Sequence, residues 1–202
     1  MNVIIADTET NGKALNFKAP FTDLNNWPRI TQLSWVVLDV NTGQFVSEQN
    51  HIVKPDGWTV PEEQFFIDNN ISTQRCEEQG KPFQDVANIF VDDVQKFNVD
   101  VLICHNINFD YNVIAAELTR YQIFSQKKLT IKLCTMETTT DLLKLPGKYG
   151  YKFPSLQELH NYLFGTYFQG NHDAMADVEA TARCFVELYQ RGHYNSLLSH
   201  LV

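Results

Sequence analysis

Two carboxylates close the first ten residues, Met-Asn-Val-Ile-Ile-Ala-Asp-Thr-Glu-Thr, at positions 7 and 9. Side chains alternate between the two faces of a strand, so Asp7 and Glu9 point the same way, on the side of Val3 and Ile5. Two like charges that close need a counter-charge, and all-oxygen ligation suits Mg²⁺ or Mn²⁺. Asp-Thr-Glu-Thr-Asn-Gly also reads as a polar strand end running into a turn, and this stretch alone leaves both readings open. Three more residues with the same chemistry follow. Asp110 opens a helical stripe continued by Val113, Ile114, Leu118 and Tyr121, where it is either a helix-start residue favoured by the macrodipole or a ligand facing a site. Asp177 shares a helical face with Ala180, Thr181, Cys184 and Leu188, small and apolar neighbours beside which its charge needs a partner. His172, five residues earlier, falls before or at the start of that helix, within reach of the same place, although a lone histidine is more often structural than catalytic.

The elements that must position these groups are legible around them. Val3 to Ala6 is an apolar run of the kind shown by a strand buried on both faces, in the middle of an α/β sheet whose strand ends hold ligands. Asn11 to Trp27 has no period and reads as a long loop beside the site. Ile30 to Val40 and Gln44 to Val53, joined at Asn41-Thr42-Gly43, form an antiparallel hairpin. From Pro61 to Phe97 the pattern is helical, broken into two pieces by Gly80 and Pro82. Val101 to Cys104 is a buried strand leading into a helix from near Asn108 to about Tyr121. His105 and Asn106 sit at that strand-to-helix turn, where phosphate binding and plain turn chemistry are both open. Ile131 to Cys134 is a further strand, Thr135 to Leu145 a helix, and Ser155-Leu-Gln-Glu158 a capping box opening a helix over Leu156 to Phe164.

At 202 residues, with 44% hydrophobic and 20% charged residues, the chain has the usage of an ordinary globular protein and the length of one domain, expected over 1–202. No apolar run approaches membrane-spanning length, and the start lacks the basic region of a signal peptide, so a cytoplasmic location is expected. Cys76, Cys104, Cys134 and Cys184 lie far apart without a C-x-x-C pair, which argues against a zinc knuckle or disulfide framework. Net charge is −8, yet Arg120 to Lys152 carries seven basic residues against two acidic ones, a local +5 that leaves −13 for the remainder. That asymmetry reads as a rim facing a polyanion or as a lysine-rich solvated face. Within it Lys148, Tyr149, Tyr151 and Lys152 interleave cations with aromatics, as surfaces that stack single strands do, though an ordinary surface loop has the same look.

Taken together, Asp7-Thr-Glu9, His105-Asn106-x-x-Phe109-Asp110 and His172-x-x-x-x-Asp177, in this order, resemble the three motifs of the DEDDh 3′-to-5′ exonucleases. That family includes the proofreading subunit of bacterial replicative polymerase and ribonuclease T. The resemblance spans roughly residues 3 to 190, and histidine at 172 with aspartate at 173 selects this branch over the tyrosine branch. It implies an α/β ribonuclease H-like fold, with a mixed five-stranded sheet (an antiparallel hairpin plus parallel strands) flanked by helices. It also implies two divalent ions, Mg²⁺ or Mn²⁺, held by Asp7, Glu9, Asp110 and Asp177, with Asp7 bridging them and neutral His172 as general base to the attacking water. Thr8, Thr10 and Gly12, with Asn106 and Phe109, would hold the terminal nucleotide of a single-stranded 3′ end. The departures are the Asn11 to Trp27 loop and the acidic net charge. DNA or RNA as substrate, including trimming of RNA 3′ ends or short oligoribonucleotides, stays open, as do a polymerase or repair partner and the oligomeric state. The alternative from another class is a catalytically inactive nucleic-acid or protein-binding module on the same fold. Carboxylates around His172 are expected to raise its pKa in the metal-free site.

Overall fold

The computed structural model describes residues 1–198; the last four residues of the domain expected over 1–202 lie outside the described residues. Its frame is a five-stranded sheet in the order β3-β2-β1-β4-β5. The strands are β1 (Asn2–Thr10), β2 (Ile30–Asp39), β3 (Gln44–Ile52), β4 (Val101–Cys104) and β5 (Ile131–Cys134). β1 to β3 pair antiparallel, and β4 and β5 run parallel to β1. The sheet is therefore mixed, with an antiparallel hairpin and helix-linked parallel strands, and the carboxyl ends of β1, β4 and β5 share one edge.

Alternation along β1 builds two cores. Ile4 and Ala6 face a cluster with Phe83, Val86 and Phe90 of α3 (Phe83–Lys96) and Val113 and Ile114 of α4 (Ile107–Arg120). Val3 and Ile5 face the other, with Leu156 and Leu159 of α7 (Leu156–Phe164) and Val178, Cys184 and Phe185 of α8 (Ala174–Gln190). Buried on both sides, the strand carries no polar residue before Asp7 except its first, as a central strand requires. α7 opens on the capping box, with Ser155 Oγ accepting from Glu158 N and Glu158 accepting from Ser155 N. The four cysteines are buried free thiols. No described helix is long and apolar enough to cross a membrane.

Three local expectations change. The stretch from Pro61 to Phe97 holds three helices rather than two, because α1 (Gln64–Asp68) and α2 (Thr73–Gln79) are parted at Asn69-Asn70. Asn70 takes a positive φ of 54° and Ser72 caps the next helix, choices that suit asparagine and serine. Thr135 to Leu145 is not one helix but α5 (Thr135–Thr138) and α6 (Thr140–Leu143). The hydroxyls of Thr138, Thr139 and Thr140 donate back to the carbonyls of Cys134, Thr135 and Met136, which bends and interrupts the helix. The loop after it folds into a small hairpin of β6 (Pro146–Gly147) and β7 (Gly150–Tyr151). The chain's last described helix is α9 (Asn195–Leu198).

The long loop from Asn11 to Trp27 has neither helix nor strand, yet it is firmly tied down. Arg120 on α4 donates to the carbonyls of Leu24, Trp27 and Pro28, and Arg29 donates to Glu117 at 2.7 Å. Glu117 is 2% exposed, also accepts from Ile30 N, and lies 3.3 Å from Arg120. Removing one partner of a buried ion pair strands the other charge. Glu117→Leu is therefore expected to cost about 3–5 kcal/mol and to expose the loop. Denaturant melts with limited proteolysis read both, and an unchanged cleavage pattern across residues 11–27 would show that the loop holds itself.

Candidate active site

Four carboxylates from three elements converge at the carboxyl end of β1. A register shift between Glu9 and Thr10 interrupts the regular pairing with β2 at the end of β1, where such irregularities often sit beside sites. Asp110 arrives in the first turn of α4 and is fixed to the strand by Thr8, whose backbone N–H and hydroxyl donate to Asp110 Oδ1 at 3.1 and 2.8 Å. Asp177 arrives in the first turn of α8, below its N-cap Asp173, which accepts from the N–H groups of Met175 and Ala176. One oxygen of Asp177 accepts from His172 N at 3.0 Å; the other, Oδ1, is buried without a hydrogen-bond partner. One ligand atom each from Glu9, His172 and Asp177 lie within 4.8 Å of one another.

Burial and mutual repulsion dominate the electrostatics. Burial, then Asp110, Asp177, Glu9 and Asp173, holds the Asp7 carboxyl well above the usual carboxylate range. Glu9 is pushed up to about 8 by burial and then by Asp177 and Asp110. Burial also lifts Asp110 to about 7, against the two hydrogen bonds from Thr8, and Asp177 to about 6. Among the described residues no lysine or arginine pairs with any of the four. A buried all-oxygen cluster with an orphaned acceptor and no cation of its own fits hard divalent ions.

His172 departs from expectation. Its pKa is lowered rather than raised, by partial desolvation of the ring in a residue that is still exposed to solvent. Of the neighbours meant to raise it, Glu9 at about 8 holds a proton of its own near neutral pH, whereas Asp177 at about 6 is largely ionised there, and desolvation of the ring outweighs the charge that remains. The residue precedes the N-cap of α8 with a positive φ of 69°, a conformation a non-glycine residue adopts at a cost of order 1–3 kcal/mol. Among the described residues its ring makes no hydrogen bond and meets one other ring, Phe65, edge-on at 5.3 Å.

Beside the carboxylates opens a cavity of about 510 Å³. Thr8, Glu9, Thr10, Gly12 and Phe109 line it, so four of the residues expected at the terminal nucleotide are brought together there. Thr10 Oγ1 donates to Gly12 O, which shapes the turn at the cavity wall. Asn106 supplies the carbonyl that starts α4, accepting from Phe109 and Asp110 N–H. His105 is spent inside the protein: its ring nitrogens pair with Thr135 Oγ1 and Pro154 O, and burial lowers its pKa to about 4. Lys148, Tyr149, Tyr151 and Lys152 lie on the β6-β7 hairpin and do not line the cavity. Tyr149 is 91% exposed with the Lys148 ammonium over its ring, whereas Lys152 is paired with Glu158 at 2.5 Å. Of the basic segment, Arg120 and Lys127 are also paired, with Glu117 and Asp100, and Lys132 lies over the Tyr111 ring.

Sequence reasoning missed the opposite wall, Pro61, Glu63, Phe65 and Phe66. A signal was present in the pair Phe65-Phe66, since adjacent helical residues point about 100° apart and a short helix cannot bury both. Phe66 is buried and Phe65 is 47% exposed toward the cavity.

A family model for exonucleases, RNase_T, matches residues 4–185. No curated protein matches. E. coli exonuclease I in complex with a dT13 oligonucleotide superposes with a TM-score of 0.71 at 18% identity, over 99% of this chain and 43% of that one. A zinc-bound form of the same enzyme with single-stranded DNA gives 0.70 at 18% identity, over 98% and 43%. A 3′-exonuclease from a study of 3′-end-specific recognition of a histone mRNA stem-loop gives 0.66 at 15% identity, over 95% and 82%. The chain thus spans less than half the length of exonuclease I, and at these identities the likeness is one of fold, the ribonuclease H-like fold of exonucleases. With a family model matched across nearly its whole length, this chain belongs to the RNase_T exonuclease family.

Proposed function

We propose that the chain is a DEDDh 3′-to-5′ exonuclease that releases nucleoside monophosphates from single-stranded 3′ ends. The observation that carries this reading is the cluster of half-buried Asp7 with buried Glu9, Asp110 and Asp177, mutually repelling and without a basic partner among the described residues. Two divalent ions, when bound, activate the attacking water, neutralise the phosphate and stabilise the leaving oxygen. Asp7, Glu9, Asp110 and Asp177 are the residues that would hold them. Thr8 fixes Asp110 on the strand, so the carboxylates contributed by β1 and α4 keep one geometry. His172 stands beside Glu9 and Asp177, neutral at physiological pH because partial desolvation lowers its pKa, and accepts the proton of the attacking water. The cavity lined by Thr8 to Gly12, Phe109, Phe65 and Phe66 takes the terminal nucleoside, its rings stacking on the base. Tyr149 and Lys148, exposed on the hairpin, would meet the strand further from its end.

The test is a time course on matched DNA and RNA oligonucleotides carrying a 5′ label, in chelator and in Mg²⁺ or Mn²⁺. A ladder shortening from the 3′ end with metal, and none in chelator, is expected. Full turnover in excess chelator, or loss of the 5′ label as mononucleotide in the first steps, would overturn the assignment.

A further inference from the structure

The ring contact between Phe65 and His172 has a use beyond packing. Phe65 stands on the five-residue α1, half exposed, with one part of its ring lining the cavity and its neighbourhood shared edge-on with His172 at 5.3 Å and 74°. His172 has little else to hold it. Its ring has no hydrogen bond among the described residues, its backbone is in the left-handed region, and the segment before it contains Gly165 and Gly170, both with positive φ. Among the described residues, Phe65 is thus the one aromatic side chain that both lines the cavity and meets the imidazole.

We infer that Phe65 is a positioning residue: a nucleoside seated in the cavity packs against it, and the Phe65 ring in turn sets the His172 imidazole over the carboxylates. The inference rests on the exonuclease reading above and deepens it. Proton abstraction is then tied to a correctly seated terminal nucleoside, so that a phosphodiester reaching the carboxylates without one meets a poorly placed base. A side chain that merely stacks on the base would act on affinity. One that aims the base acts on the chemical step, where a small misplacement costs on the order of 10²-fold.

The experiment is a double-mutant cycle on single-turnover rates at saturating oligonucleotide and metal, with Phe65→Ala, His172→Ala and the double variant, and with Phe65→Tyr as the conservative replacement. Phe65→Ala is expected to lower the wild-type rate by on the order of 10²-fold, to add almost nothing in the His172→Ala background, and to be largely rescued by tyrosine. Effects that multiply in the double variant, or a loss in KM alone, would overturn the inference while leaving the exonuclease reading intact. A second measurement does not need turnover. The His172 ring resonances, at fixed pH in chelator, are expected to shift on titration with thymidine 5′-monophosphate in the wild type and to stay in place in Phe65→Ala. Equal shifts in both proteins would overturn it even if the wild type hydrolysed no oligonucleotide, the outcome that would instead remove the exonuclease reading.

Discussion

Asp7→Asn is expected to abolish turnover and, in the absence of metal, to make the protein harder to melt. Asp7 is half-buried within the cluster, and its carboxyl is raised by desolvation and then by four other acidic groups, so nothing in the folded chain compensates its charge. As one of the carboxylates that would hold the divalent ions, its loss weakens the binding of the charge that neutralises the reacting phosphate. The rate should therefore fall by more than the roughly 10²–10³-fold that removing a single hydrogen-bond donor costs. Stability moves the other way. A carboxyl whose folded pKa is raised keeps its proton in the folded chain after the unfolded chain has released it near pH 4, so stability falls as pH rises from there through the folded value. Asp177 at about 6, Asp110 at about 7 and Glu9 at about 8 place that loss between pH 4 and 8. The metal-free wild type should melt lower at pH 8 than at pH 5, and Mn²⁺ should restore it, since ions that bind only the folded state stabilise it. Asparagine at 7 keeps the shape and removes one of the repelling groups, raising the pH 8 melting temperature in chelator by several degrees, with about 1 kcal/mol moving a domain of this size by roughly 2–4 °C. Calorimetry in chelator at both pH values checks the sign. A lower melting temperature for the variant would mean that Asp7 holds the fold together.

The strands of the sheet are visible in the sequence because hydrophobic alternation and uninterrupted apolar runs are set by burial on one face or two. Val3 to Ala6, Val101 to Cys104 and the capping box at Ser155 need no tertiary knowledge. The threonine run at 138–140 breaks a helix through hydroxyl bonds to the preceding turn, a competition that periodicity does not record. Around the site, Asp7, Glu9, Asp110 and Asp177 could be placed at element ends, but spacing alone does not say that Thr8 anchors Asp110 across 102 residues of chain. His105 looks like a ligand for phosphate beside Asn106, yet its two nitrogens satisfy Thr135 and the carbonyl of Pro154, partners 30 and 49 positions away. Charge counting failed for Arg120 for the same reason, since the loop carbonyls it binds carry no charge and are invisible to such a count.

The lowered pKa of His172 fixes what a pH profile should look like. Partial desolvation disfavours the imidazolium, so the neutral ring that a general base requires is reached below the ordinary histidine value of about 6.5. In saturating metal the single-turnover rate should climb on the acid side of that value and be level by neutral pH. Below saturation the profile is steeper and lies higher, because metal must displace protons from Glu9 and Asp177, held to about 8 and about 6. Raising the metal concentration should therefore move the apparent midpoint toward acid until only the limb belonging to His172 remains. His172→Ala is expected to lower the chemical step by about 10²–10⁴-fold, the usual yield of general acid–base catalysis, and to erase that residual limb. Substrate affinity should stay near wild type. The fold should too, because the residue's one hydrogen bond in this region runs from its backbone N–H to Asp177, which alanine preserves. Alanine does not relieve the positive φ, so a higher melting temperature is expected only for His172→Gly, which removes the strain of the left-handed backbone. Rates from pH 5 to 9 for both variants, in saturating metal, separate the two roles. If the alanine variant keeps the wild-type profile at reduced amplitude, the proton goes elsewhere and His172 serves only to shape the segment before α8.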